Sequence, residues 1–175
     1  CMKNLHPQQG IGLIEILVAT LILAVAVLGF IALQYRSLEA ANEAYYRTQA
    51  INVARDLAER MRANQFARDT YIQELTYSES STDNPTQVNP PSSECLHPGK
   101  CDQASFAKFD VAEIKAKANQ AAMQVAMQTC SGVNRQCIYI SWDETLPIDG
   151  DDDVACTKDG VYVDGSRCVV MEAYQ

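Results

Sequence analysis

The sequence predicts an α+β protein: a long N-terminal α-helix, apolar in its first half and amphipathic in its second, packed on a small antiparallel β-sheet with a second helix and stapled by disulfides. Three observations lead there. Residues 11–33 form an apolar run with one charged residue, Glu15. The helical pattern that follows carries no Pro or Gly from Tyr35 to Phe66. The C-terminal half holds alternating, strand-like stretches and six cysteines: Cys95, Cys101, Cys130, Cys137, Cys156 and Cys168.

The opening run, Ile11 to Leu33, is 23 residues long. As a helix it covers about 35 Å, enough for a hydrocarbon core of about 30 Å. A short polar stretch, Met2 to Gly10, precedes it, and Cys1 ahead of Met2 reads as a leftover outside the natural chain. The far end, "GFIALQY", shows no small-residue signal-peptide cleavage pattern. An uncleaved membrane anchor is the plain reading, and Glu15 fits it badly. A carboxylate within a membrane helix costs about 2.5–3.5 kcal/mol on insertion scales, and such residues usually have a partner or a function. No Lys or Arg follows within the run. The nearest available cation is an α-amine freed by a cut just before Ile11, on a neighbouring chain.

From Tyr46, apolar residues recur at steps of three or four: Ala50, Val53, Leu57 and Met61. Glu43/Arg47 and Asp56/Arg60 are acid-first i,i+4 pairs assigned to the wetter side. One helix is therefore expected from residue 11 to residue 66, about 80 Å long at about 1.5 Å per residue. Its first half, 11–34, needs lipid or helices like itself, and Ala19, Ala24, Ala26 and Gly29 permit close approach between such helices. Its second half, 35–66, needs a folded head, residues 67–175, to pack on.

Gly10, apolar Ile11, Leu13-Ile14-Glu15 and the apolar helix together resemble the class III leader of type IV pilins and of type II secretion pseudopilins. The resemblance implies a leader of residues 1–10, removed by a prepilin peptidase between Gly10 and Ile11, and methylation of the new N-terminus at Ile11. It assigns Glu15 to assembly, pairing with the N-terminal amine of another subunit. Gly12 departs from the family's more usual Thr or larger residue. "AYYRTQAINVARDLAERMRANQ", Ala44 to Gln65, resembles more narrowly the helix of PilV-type minor pilins. The expected fold is accordingly pilin-like.

Residues 76–103 are rich in Pro, Ser, Thr, Asn and Asp, which is loop chemistry. Asp110 with Glu113 reads as the capping box of a second helix, with Val111, Ile114, Ala118, Ala121 and Val125 on one face and an end before Cys130. "QCIYISWD", Gln136 to Asp143, alternates: Ile138, Ile140 and Trp142 on one face, Tyr139 and Ser141 on the other. Val161 to Val163 is a short strand candidate beside an Asp164-Gly165 turn, and Arg167 to Tyr174 a final strand. An even set of cysteines beyond a membrane-length segment reads as disulfides in an oxidising compartment. Six cysteines allow many pairings, and sequence alone does not choose among them. Chain order suggests Cys95–Cys101, Cys130–Cys137 and Cys156–Cys168, each adding about 2–4 kcal/mol.

Chemical sites are few. Cys95, His97 and Cys101 have the look of a zinc cluster but lack a fourth ligand nearby, and the disulfide reading is preferred. Asp149, Asp151 and Asp153 alternate like the start of a calcium loop, but Val154 stands where an EF-hand needs Gly. A calcium site of another type and a solvated acidic turn are the two readings left. Tyr45 and Tyr46 are read as packing residues. No catalytic motif is present, so the chain is expected to be no enzyme and to need no cofactor. A net charge of −8 disfavours nucleic acid as a partner.

The resemblance implies a minor pilin that primes or caps the type IV pilus fibre and so supports twitching motility and adhesion. The implied location is the inner membrane, single-pass with a periplasmic head, and then the fibre at the cell surface. The implied partners are other minor pilins, the major pilin, the prepilin peptidase, the inner-membrane assembly machinery and the lipid bilayer. The alternatives are a minor pseudopilin of type II secretion, or a membrane-anchored adhesin or binding module using residues 76–103 and 144–166 as contact loops.

Overall fold

A computed structural model describes residues 12–77, 95 and 101–173. The expected leader with its Gly10–Ile11 junction, His97, most of the Pro-rich stretch and Tyr174 lie outside the described residues. The chain divides into two units, Cys1–Ala44 and Tyr45–Gln175.

Helix α1 spans Leu13–Ala63. It contains every residue described in the first unit except Gly12, and every residue from Gly12 to Asn42 is exposed. It ends three residues before the expected position. Asn64 leaves helical geometry at φ −119° and ψ 57°, and its side-chain amide donates to Gln103 O at 2.8 Å. Asn trades helical backbone bonding for side-chain bonding more readily than its neighbours, so a chain free of Pro and Gly still breaks here. A 3-10 turn, Gln65–Ala67, leads into a short helix α2, Arg68–Leu75, which the sequence reading left unassigned.

The helix expected to begin at Asp110 begins earlier. Helix α3 spans Gln103–Gln120, and its N-cap is Asp102, whose carboxylate accepts from Ser105 N at 2.7 Å. Asp110 lies mid-helix and is 2% exposed. The helix also stops about ten residues early, because Ala122 turns to φ 55° and the chain enters strand β1, Met123–Thr129. The left-handed region costs a non-glycine residue about 1–2 kcal/mol. Pairing along the whole of β1 overrides both that cost and the helical preference of its Ala, Met and Gln residues.

β1 pairs antiparallel with β2, Gln136–Trp142, and β2 pairs antiparallel with β6, Cys168–Ala173. Val125 faces Ile140, and Ile138 faces Met171. A second sheet, of which the sequence reading found only the last strand, consists of β3, Leu146–Asp149, β4, Ala155–Lys158, and β5, Val161–Tyr162. Its β3–β4 pair is parallel, so the sheet content is not purely antiparallel. The β4–β5 hairpin turns on Asp159 and Gly160, with φ 51° and 79°. Two positive φ values suit the right-handed twist of the flanking strands, and Asp-Gly supplies them at low cost. Gly165, at φ 76°, makes the turn after β5, where Ser166 N donates to Val163 O at 3.0 Å.

Both faces of β2 are covered. Ile138, Ile140 and Trp142 join Ala50, Val53, Ala54 and Leu57 of α1 in the main core, with Ile114 of α3 and Tyr71 of α2. Cys137 and Tyr139, on the opposite face, form a second cluster with Cys130, Cys156 and Cys168. Alternation along the strand thus sorts one set of side chains to the helices and the other to the disulfides.

Candidate assembly helix and its anchoring cluster

Among the described residues of the first unit, the candidate functional surface is the apolar stretch of α1. Leu13 is 79% exposed, Leu28 67% and Phe30 60%. The helix is long and apolar enough to cross a membrane. Its polar groups fit that setting. The Thr20 hydroxyl donates to Leu17 O at 3.0 Å, so the helix satisfies it internally. Glu15 stands in the first turn, and its N–H donates to Gly12 O at 2.9 Å. A carboxylate there lies at the positive end of the helix dipole, worth about 0.3–1 kcal/mol.

In the second unit α1 is held by polar contacts as well as by the core. Arg60 donates from Nε to Asp56 at 2.9 Å, and from Nη1 to Asp110 at 2.7 Å and to Glu113 at 2.6 Å. Lys117 reaches Asp56 at 2.6 Å. The Tyr71 hydroxyl donates to the other Asp110 oxygen at 2.5 Å. Paired with the Asn64–Gln103 contact, these bonds run antiparallel along α1 and α3, with α2 joined at Asp110. Asp56 and Arg60, read as a wet surface pair, are half-buried because α3 lies over them. Burial pushes the Asp56 carboxyl up, but the hydrogen bonds from Lys117 and Arg60 outweigh it and hold it below the usual range. Burial likewise opposes the charge of Arg60, and its three carboxylates overcome that and keep its pKa above the usual guanidinium value. Tyr71 is raised by burial and by the Asp110 carboxylate it serves. Sequence reasoning missed Asp110 as a cluster member. The available signal was an arginine with an acid four residues before it, on a helix that needed a partner.

The remaining candidates separate. Tyr46 stacks on Trp142 with ring centroids 6.1 Å apart, and Tyr45 meets Tyr46 edge-on at 5.8 Å. Asp149, Asp151 and Asp153 are not brought together as a metal site. Asp149 accepts from the Thr157 hydroxyl at 2.7 Å and from Gly160 N at 3.2 Å. Asp151 pairs with Lys158 at 2.9 Å. Among the described residues no group of three or more metal-ligating side chains converges. The cysteines pair as Cys95–Cys101, Cys130–Cys137 and Cys156–Cys168, with Cα separations of 5.2, 5.1 and 5.8 Å.

A protein-family model, Tt1218-like, described as type IV pilin Tt1218, matches residues 32–112. The match takes in the packed part of α1, α2 and the first half of α3, including Arg60, Tyr71 and Asp110. No curated protein and no solved structure matches the chain. Over those residues the chain is similar to a type IV pilin family, and its apolar, membrane-length opening helix and disulfide-stapled α+β head fit that similarity.

Proposed function

We propose that the chain is a minor pilin of the type IV pilus, PilV-like in its long helix, that primes or caps fibre assembly. The prepilin peptidase cuts between Gly10 and Ile11 and methylates Ile11. The apolar stretch of α1 holds the subunit in the inner membrane with its head in the periplasm, then joins the core of the fibre among other minor pilins and the major pilin. Glu15 meets the N-terminal amine of a neighbour and sets axial register, a role an ion pair in apolar surroundings fills even when its net stabilisation is small. Contacts between unlike surfaces that do not close on themselves generate a helical filament.

The observation that carries this reading is the apolar stretch of α1. From Gly12 to Asn42 the unit buries nothing, and its only charge before Arg36 is Glu15. Such a surface requires lipid or like helices around it. Replacing Glu15 with Ala is expected to leave membrane insertion intact and remove the subunit from sheared pili, with loss of twitching. Normal incorporation of the variant would contradict the reading, and a secretion defect with intact pili in a deletion strain would turn it toward a type II pseudopilin.

A further inference from the structure

The three disulfides stand in different surroundings. Cys130 and Cys137 are 7% and 6% exposed, Cys156 and Cys168 0% and 2%. Both pairs pack with Tyr139 in the second core, and opening either would place thiols in a closed apolar cluster. Cys95 and Cys101 are only half-buried and belong to neither core. Cys95 Sγ lies 3.8 Å from Ser105 O, in the first turn of α3.

The described elements beside this outer disulfide are also held by other means. The first turn of α3 is capped by Asp102, and its start is fixed to the end of α1 by Asn64 and Gln103. α2 and α3 are joined by Tyr71 to Asp110, by Lys115 Nζ to Glu74 O at 2.7 Å, and by Lys108 to Glu74 at 3.8 Å. None of these bonds involves Cys95 or Cys101.

We infer that Cys95–Cys101 is a thiol-exchange site, opened by an external dithiol while the head stays folded. One thiolate of the dithiol attacks a sulfur of the pair, forms a mixed disulfide and releases the other cysteine as a thiolate. The second thiol of the reagent then displaces the remaining cysteine. The dithiol leaves as a disulfide, and two electrons and two protons have passed to Cys95 and Cys101. Exchange requires access to a sulfur, and exposure confines that access to this pair.

The test is graded reduction of the full chain in detergent micelles with dithiothreitol, followed by acid quench, alkylation and peptide mass spectrometry. Alkylation of Cys95 and Cys101 is expected at a reductant concentration about tenfold below that needed for the other four cysteines, with the near-ultraviolet circular dichroism unchanged. Alkylation of Cys130, Cys137, Cys156 or Cys168 over the same concentrations would overturn the inference. So would loss of the near-ultraviolet signal in step with the first pair. The double variant Cys95→Ser/Cys101→Ser is expected to fold with the parent's near-ultraviolet spectrum and to show no alkylation at low reductant. A variant that fails to fold would make the linkage structural and the inference wrong.

Discussion

Helix α1 carries two stretches of similar regularity and opposite fate. From Gly12 to Asn42 nothing is buried. From Ala50 to Leu57 four residues are at most 2% exposed. The exposed stretch is the more hydrophobic of the two, so hydrophobicity alone does not decide what a protein buries. The first stretch is apolar on all sides, which suits a surrounding medium. The second is apolar on one side only, which suits a single packed partner. Its other side carries Asp56 and Arg60, and these give α3 a register that apolar packing alone does not fix.

Substitutions should act differently in the two stretches. The largest effect is expected from Asp110→Ala, which removes the buried acceptor of Tyr71 and one of the three carboxylates of Arg60. Breaking such a buried pair typically costs about 3–5 kcal/mol, read as a lower midpoint of denaturant unfolding of the head. Leu57→Ala should cost about 2–5 kcal/mol in the same assay, as a cavity in a closed core. Leu23→Ala removes the same atoms from the exposed stretch and should leave the unfolding midpoint of the head unchanged. Equal shifts for Leu57→Ala and Leu23→Ala would break the comparison.

Acid and base should erode the packed stretch from opposite sides. Asp56 has a lower pKa folded than unfolded, so the unfolded chain binds more protons and stability falls with pH below about 4. Tyr71 has a higher pKa folded than unfolded, so its contribution is complete below about pH 10 and is lost above it. Denaturant midpoints across pH should show both flanks, with the acid flank shallower in Asp56→Asn and the alkaline flank shallower in Tyr71→Phe. A smaller effect, about 1–2 kcal/mol, is expected from Gly160→Ala. It sets a side chain at φ 79°, with the new Cβ 3.2 Å from Ser131 Cβ. A midpoint unchanged by that substitution would remove the tight turn from the account.

Much of this architecture could be read from the chain, and most of the failures share one cause. The buried face of α1 followed from the spacing of Tyr46, Ala50, Val53, Leu57 and Met61, since periodicity is local information. β2 followed from alternation, β5 from Val161-Tyr162-Val163 beside the Asp164-Gly165 turn signal, and β6 lies within the expected final strand, Arg167 to Tyr174. β1 was read as helix because Val125 continues the face of Val111, Ile114, Ala118 and Ala121, and only pairing with β2 makes this stretch a strand. β3 and β4 hid in an acidic, Pro-containing stretch whose pairing is again with distant chain. Asp110 matched a capping pattern locally, whereas its role is set by Arg60, fifty residues earlier, and by Tyr71. Contacts of long sequence separation leave no periodic mark. Glu15 was legible as an acid out of place in an apolar run, and the amine proposed to pair with it belongs to another chain.

The central claim is that this apolar helix enters a fibre with a freed, methylated amine at its head and Glu15 held ready for the amine of a neighbour. Mass spectrometry of the intact N-terminus, on protein taken from the membranes of its own host, tests it most directly. The account predicts a chain that starts at Ile11 and carries one methyl group on its α-nitrogen. A chain that still starts at Met2, or one cut at any other bond, would contradict it.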